Sequence, residues 1–360
     1  MNVVDAAQAA LTELEGRGLR RTIRVRDSRQ IDFASNDYLG LAHDPDVRAA
    51  LGGATRVGSG GARLLSGAHA EHAALERELA AFVGRERALL FSSGYLAAVG
   101  AVQGLAPLVR RAYSDAANHA SIIDGLRLAS LERTIVHDGV LPVSDGTPTL
   151  VVTESVFGMS GECADLAALL AQLGPSDILL VDEAHALGVV GERGAGLAAT
   201  LDDPRVVVIG TLSKAFGCAG GFIAGAASVI ELLISTARTF IFDTSMPPAL
   251  ASAANAALTR IIAGEQLRAQ LRGNVAELCD GLRARGIDAP ARETPIVPIA
   301  LGSAERAVQI GEALLTAGIF APPVRPPTVP EGTARIRLSV RADHSATDIA
   351  HLLAALESLV

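Results

Sequence analysis

The hydrophobic pattern of the chain alternates between two kinds of segment. Short runs of Val, Ile and Leu occur at 87–91 (RALLF), 132–137, 149–155 (TLVVTES), 178–182 (ILLVD) and 206–211 (VVVIGT). Their polar side chains gather at the carboxyl ends, which is how buried parallel strands read. Between them lie stretches with apolar residues at i, i+3, i+4 and i+7, such as HAALERELAAFVG, which read as amphipathic helices. The βαβα order predicts a largely parallel, doubly wound α/β sheet followed by a smaller C-terminal α/β lobe. We place an N-terminal helix and arm at 1–35, a large domain at 36–262 and a small domain at 263–360. Within them we expect a helix over 3–17, then an arginine-rich stretch that reads either as a solvated hairpin or as a contact for an anionic substrate end, a strand and turn over 238–248, and a long alanine-rich helical region over 248–285. The connection from His137 to Thr149 holds only turn residues, too few for a crossover helix.

Composition narrows the class. With 360 residues the chain exceeds one typical core. Its mean hydropathy of +0.35 is high, yet no eighteen-residue apolar stretch runs unbroken, so no membrane span is expected. The N-terminus lacks the basic region of a signal peptide. Three scattered cysteines form no CxxC pair, which argues against a metal site and fits a reducing cytoplasm. A net charge of −8 with 3% aromatic residues disfavours nucleic-acid binding.

The candidate chemistry centres on 178–221. One apolar run ends in Asp182, with His185 just beyond it; the next ends in Thr211, Ser213 and Lys214. Ligands of open α/β sheets collect at strand carboxyl ends, so these groups converge. Lys214 is also the only lysine; every other basic residue in the Lys+Arg count is arginine. An amine can deprotonate and form a Schiff base, which a guanidinium cannot do. At Ser92–Tyr95 a strand meets a helix, with Ser92 or Ser93 as N-cap and the amides of Gly94 and Tyr95 facing outward. This is either ordinary capping or an anion cup. His119, in another strand-to-helix turn, reads either as a cap or core residue or as a ring lying on a cofactor face. The glycine-rich Gly58–Gly67 loop lacks the ending of a P-loop and reads as a flexible wall. An imine-forming amine, a carboxylate, an imidazole and a phosphate cup together make the kit for pyridoxal 5′-phosphate.

These segments also carry a family resemblance. SNDYLGL, FSSGY, NHASIIDG, VVTES, VDEAHALGVVG, GTLSKAFG, FIFDT and RPPTVPEGTARIRLS occur in that order from about Ile31 to the C-terminus. In this the chain resembles the α-oxoamine synthases, fold-type I pyridoxal-phosphate transferases. The resemblance implies a decarboxylating C-acyltransferase acting as a homodimer with shared sites. By it, Lys214 holds the cofactor and acts as base, Asp182 pairs with the ring nitrogen, His185 with the phenolic oxygen, and His119 stacks. Ser93, Gly94, Tyr95 and Thr211 hold the phosphate, joined by Thr328 from the partner subunit. Arg337 binds the amino-acid carboxylate, Asn36 lies near the acyl thioester, and Arg21 (or Arg20) meets the far carboxylate of the acyl chain. RPPTVP is similar to the branch that joins L-alanine to pimeloyl-CoA or pimeloyl-acyl carrier protein. A synthase using glycine or another small amino acid, and a non-catalytic binding module, stay open. Two departures stand out: the family usually has serine at Gly158 and aspartate at Ser160, and it carries a helix where the 137–149 connection is short. Without that serine, His185 is left with more of the bonding to the phenolic oxygen.

Overall fold

The computed structural model describes residues 2–289 and 293–359. In chain order, β1 (Ile31–Asp32) precedes β2 (Arg87–Phe91), β3 (Arg111–Asp115), β4 (Glu132–Val136), β5 (Thr149–Glu154), β6 (Ile178–Asp182), β7 (Val206–Thr211) and β8 (Gly221–Gly225). Then come β9 (Ile296–Gly302), β10 (Ile319–Phe320), β11 (Pro323–Val324) and β12 (Ala334–Ser339). Strands β2 to β8 form one sheet in the order β2-β8-β7-β6-β5-β3-β4, and only β8 runs against its neighbours.

Every residue of β5, β7 and β8 is buried, and so is all of β6 after Ile178. Successive side chains point to opposite faces, so Val206 and Val208 join one core while Val207 and Ile209 join another. Helices cover both faces, which explains the unbroken apolar runs in the sequence. The first core continues into the C-terminal lobe, where Ile296, Ile299 and Leu338 belong to a three-stranded antiparallel sheet, β11-β12-β9. β1 pairs in parallel with β10, tying the end of the N-terminal arm to that lobe.

Strands β4 and β5 flank β3 and are both parallel to it. The link between them carries no helix. Instead, Gln172 holds it, accepting from the Leu141 amide at 3.1 Å and donating to the Gly139 carbonyl at 3.0 Å.

Two expectations need correction. The 238–248 segment is not a strand: a short helix, Arg238–Ile241, leads through a turn to the helix Pro248–Ile262. The segment crosses the helix Gly94–Leu105, with Thr239 donating to the Leu96 carbonyl at 2.7 Å, so it packs on a helix and has no sheet edge to join. The alanine-rich region is helical as expected, in two helices, Pro248–Ile262 and Glu265–Ala284. They part at Gly264, where a Cβ would lie 2.7 Å from the Arg260 carbonyl. The arginine-rich arm forms no hairpin; Arg325 binds the carbonyls of Gly18 and Arg20 and lays it against the lobe.

Candidate active site

The polarity of the sheet puts the carboxyl ends of β2, β3, β5, β6 and β7 on one edge, together with the start of β8. A cavity of about 260 Å³ opens there. Ser93, Gly94, Tyr95, His119, Asp182, His185, Thr211 and Lys214 all line it, so eight residues singled out in the sequence meet at one place. Glu154, Ser121 and Ser213 complete its polar wall.

One end of the cavity is built for an anion. Ser93 caps the helix Gly94–Leu105, its hydroxyl accepting from the Leu96 amide at 3.1 Å, which leaves the first-turn amides facing the cavity. Thr211 lies across from them, and its hydroxyl is 2.8 Å from that of Ser213. A Cβ on Gly94 would come within 2.9 Å of the Thr211 hydroxyl, so only glycine lets strand end and helix start approach this closely.

The other end holds the titratable groups. Glu154 and Asp182 stand directly opposite each other in the β5–β6 register. Burial, with Asp182 beside it, pushes the Glu154 carboxyl up to about 8. The register thus favours a protonated Glu154. Burial likewise lowers Lys214 to about 8, against the opposing pull of Asp182 and Glu154. Burial, with Lys214, Arg337 and His119 nearby, holds His185 well below its ordinary value, so its imidazole is neutral.

The lowered lysine has a direct consequence. In cofactor-free protein, acylation of Lys214 by a small amine-reactive anhydride should rise with pH, be half-maximal near pH 8 and level off above about pH 9, because the neutral amine is the nucleophile. An ordinary lysine keeps gaining reactivity past pH 10. Peptide mapping separates the single ε-amine from the N-terminus, and a rate still climbing at pH 10 would contradict the assignment.

Four expected residues lie outside the cavity wall. Asn36 and Arg337 form a network behind His185: Arg337 Nη1 donates to Asn36 Oδ1 at 3.1 Å and to Ser339 Oγ at 2.8 Å, and its Nε donates to the Gly158 carbonyl. Arg337 is buried, and its donors reach no carboxylate among the described residues. Such a guanidinium is prepared for an incoming anion. Thr328 and Arg21 sit together away from the cavity, with Arg21 donating to the Thr328 hydroxyl at 3.3 Å, whereas Arg20 pairs with Glu15 at 2.8 Å. At Gly158 a Cβ would lie 2.6 Å from His185 Nε2, so the histidine ring reaches into the room a serine side chain would need.

Sequence reasoning missed Glu154 and Tyr38. Glu154 was within reach of the argument that found Asp182, since it also ends an apolar run. Tyr38 gave no comparable signal.

The fold and this donor set define a transferase of the pyridoxal-phosphate type. The aminotransferase class I and II model matches residues 28–356. The 8-amino-7-oxononanoate synthase of Burkholderia cenocepacia is 41% identical, with 99% of this chain and 95% of that protein covered. That of Aromatoleum aromaticum is 42% identical, with 99% of each covered. Among solved structures, Sphingomonas wittichii serine palmitoyltransferase superposes with a TM-score of 0.88 at 30% identity over 100% of this chain and 98% of that one. The Francisella tularensis 8-amino-7-oxononanoate synthase gives 0.78 at 28% identity, covering 92% and 98%. The chain belongs to the class I and II aminotransferases, in the 8-amino-7-oxononanoate synthase family.

Proposed function

We propose that this protein condenses L-alanine with a pimeloyl thioester, releasing the thiol and carbon dioxide to give 8-amino-7-oxononanoate. The observation that carries the proposal is the single lysine of the chain, held at a strand end in one cavity with Asp182, His119, His185 and a helix N-terminus. Those donors suit pyridoxal 5′-phosphate, which when bound supplies an electron sink for a carbanion at the amino-acid Cα.

Each role then follows from position. The Ser93–Tyr95 amides and Thr211 take the phosphate. Asp182, at the end of β6, would pair with the ring nitrogen and keep it protonated, and His119 would help hold the ring. Lys214 anchors the cofactor and moves the Cα proton, a task suited to an amine lowered toward neutral pH. Arg337, with Asn36 beside it, receives the alanine carboxylate and so orients the Cα–H bond. Neutral His185 donates to the phenolic oxygen.

The acyl side involves residues away from the cavity. Arg21 is the better candidate for the far carboxylate of the pimeloyl chain, since Glu15 already neutralises Arg20. Thr328, which does not line its own cavity, suits the phosphate of a second copy, and a homodimer follows. Exposed Leu65, Val57 and Phe242 support such self-association.

Purified protein loaded with the cofactor should release thiol from pimeloyl-CoA or pimeloyl-acyl carrier protein only when L-alanine is present. The product is identified by mass, and turnover with alanine should exceed that with glycine or serine by at least about tenfold, the discrimination one methyl-sized contact affords. The likeness to serine palmitoyltransferases favours a serine-using synthase as the second reading. Faster turnover with serine would establish that reading, and no thiol release with any amino acid would overturn both.

A further inference from the structure

We propose that Tyr38 is a positioning residue that fixes the proton of His185 on Nε2, the ring nitrogen turned toward Gly158, and that Arg337 sets the direction of this hydrogen bond. The proposal rests on the functional reading above only for what Nε2–H then meets. The two residues are 147 apart in sequence, yet the Tyr38 hydroxyl lies 2.7 Å from His185 Nδ1. Tyr38 is fully buried and does not line the cavity, so it acts through the histidine.

The donor count decides which way the bond runs. The phenol has one hydrogen and three polar neighbours: His185 Nδ1, Asn36 Oδ1 at 3.0 Å and Arg337 Nη2 at 3.4 Å. A guanidinium only donates, so Arg337 Nη2 occupies a lone pair of the phenolic oxygen. Asn36 Oδ1 already receives Arg337 Nη1 at 3.1 Å and Ser339 Oγ at 3.3 Å, which fills its two acceptor sites. The phenolic hydrogen is left with the shortest contact, Nδ1. A neutral imidazole that accepts at Nδ1 carries its proton on Nε2.

The surroundings keep Nε2–H available. It points at Gly158, where no side chain competes, and it has no protein acceptor among the described residues. The backbone there is held from both sides: the Gly158 amide donates to Glu154 at 2.9 Å, and its carbonyl accepts from Arg337 Nε. One buried arginine thus fixes Gly158 and orients the phenol that orients the histidine. In the functional reading, Nε2–H is the donor to the phenolic oxygen of the cofactor.

The test starts with cofactor-free protein. Nitrogen-15 spectra at neutral pH, with the His185 signals assigned by their loss in His185→Gln, should show the Nε2–H form in the wild type. An Nδ1–H form there overturns the proposal whatever any variant does. Tyr38→Phe keeps the buried ring and should turn the signal into a tautomer mixture; a purely structural role would lower the melting temperature and leave the tautomer unchanged. In loaded protein, weakening the donor makes the phenolic oxygen more basic. The midpoint of the pH-dependent absorbance change should therefore move up by about one pH unit in Tyr38→Phe, and an unmoved midpoint overturns the proposal. Wild-type protein that takes up no cofactor would defeat the functional reading while leaving the tautomer result standing.

Discussion

We expect Lys214→Ala to fold, to bind pyridoxal phosphate without a covalent link, to lose it on dialysis and to turn over at least about 10³-fold more slowly, because in the proposed function anchor and proton carrier disappear together. Borohydride reduction followed by mass spectrometry checks this. Wild-type protein gains one reduced cofactor adduct (the cofactor less one oxygen) on the peptide holding Lys214, and the variant gains none. Folding survives because the change removes a desolvated amine and leaves the strands intact. Lys214→Arg should fail equally, since a guanidinium stays protonated at working pH and forms no such bond. A covalent adduct elsewhere in Lys214→Ala would show that the anchoring group is another one.

Gly221→Ala has the second-largest expected effect, and the cause is backbone. A Cβ on Gly221 would lie 2.5 Å from Gly94 Cα, 2.6 Å from its amide nitrogen and 2.7 Å from the Ser93 carbonyl carbon. These are the atoms that form the anion cup, and a main chain cannot rotate away as a long side chain can. We expect about 1–3 kcal/mol of destabilisation from overpacking. Cofactor affinity should fall at least about tenfold as the helix start is pushed from Thr211. Gly225→Ala is the control on the same strand: its nearest neighbour would be Val207 Cγ2 at 3.6 Å, an ordinary contact, so stability and affinity should hold. Calorimetry and a cofactor titration on the two variants read both effects. Equal behaviour of the two would mean that the close approach of β8 to the helix Gly94–Leu105 does not shape the cup.

What could be read from the sequence was what depends on neighbours along the chain. The runs ILLVD and VVVIGT announce buried strands because both faces of a parallel sheet are covered. Their polar ends name Asp182, Thr211 and Lys214 because strand ends of one polarity share an edge. The lone lysine stands out by counting, and Ser93 by its place at a strand-to-helix junction. Local signals failed at 238–248, whose aromatic and apolar residues suit a strand equally well.

Tertiary structure alone decided the rest. The β5–β6 register sets Glu154 opposite Asp182 and raises its carboxyl; a shift of one residue would turn it to the other face. The contact of Tyr38 with His185 spans 147 residues, and Arg337 reaches Asn36 across 301. Gly158 matters only because the ring of His185 comes to lie over it, and Gly221 only because a helix start lies against it. The sequence by itself pointed to most of the residues that line the cavity. Folding determined their distances, protonation and order, because these depend on how closely segments remote in the chain pack together.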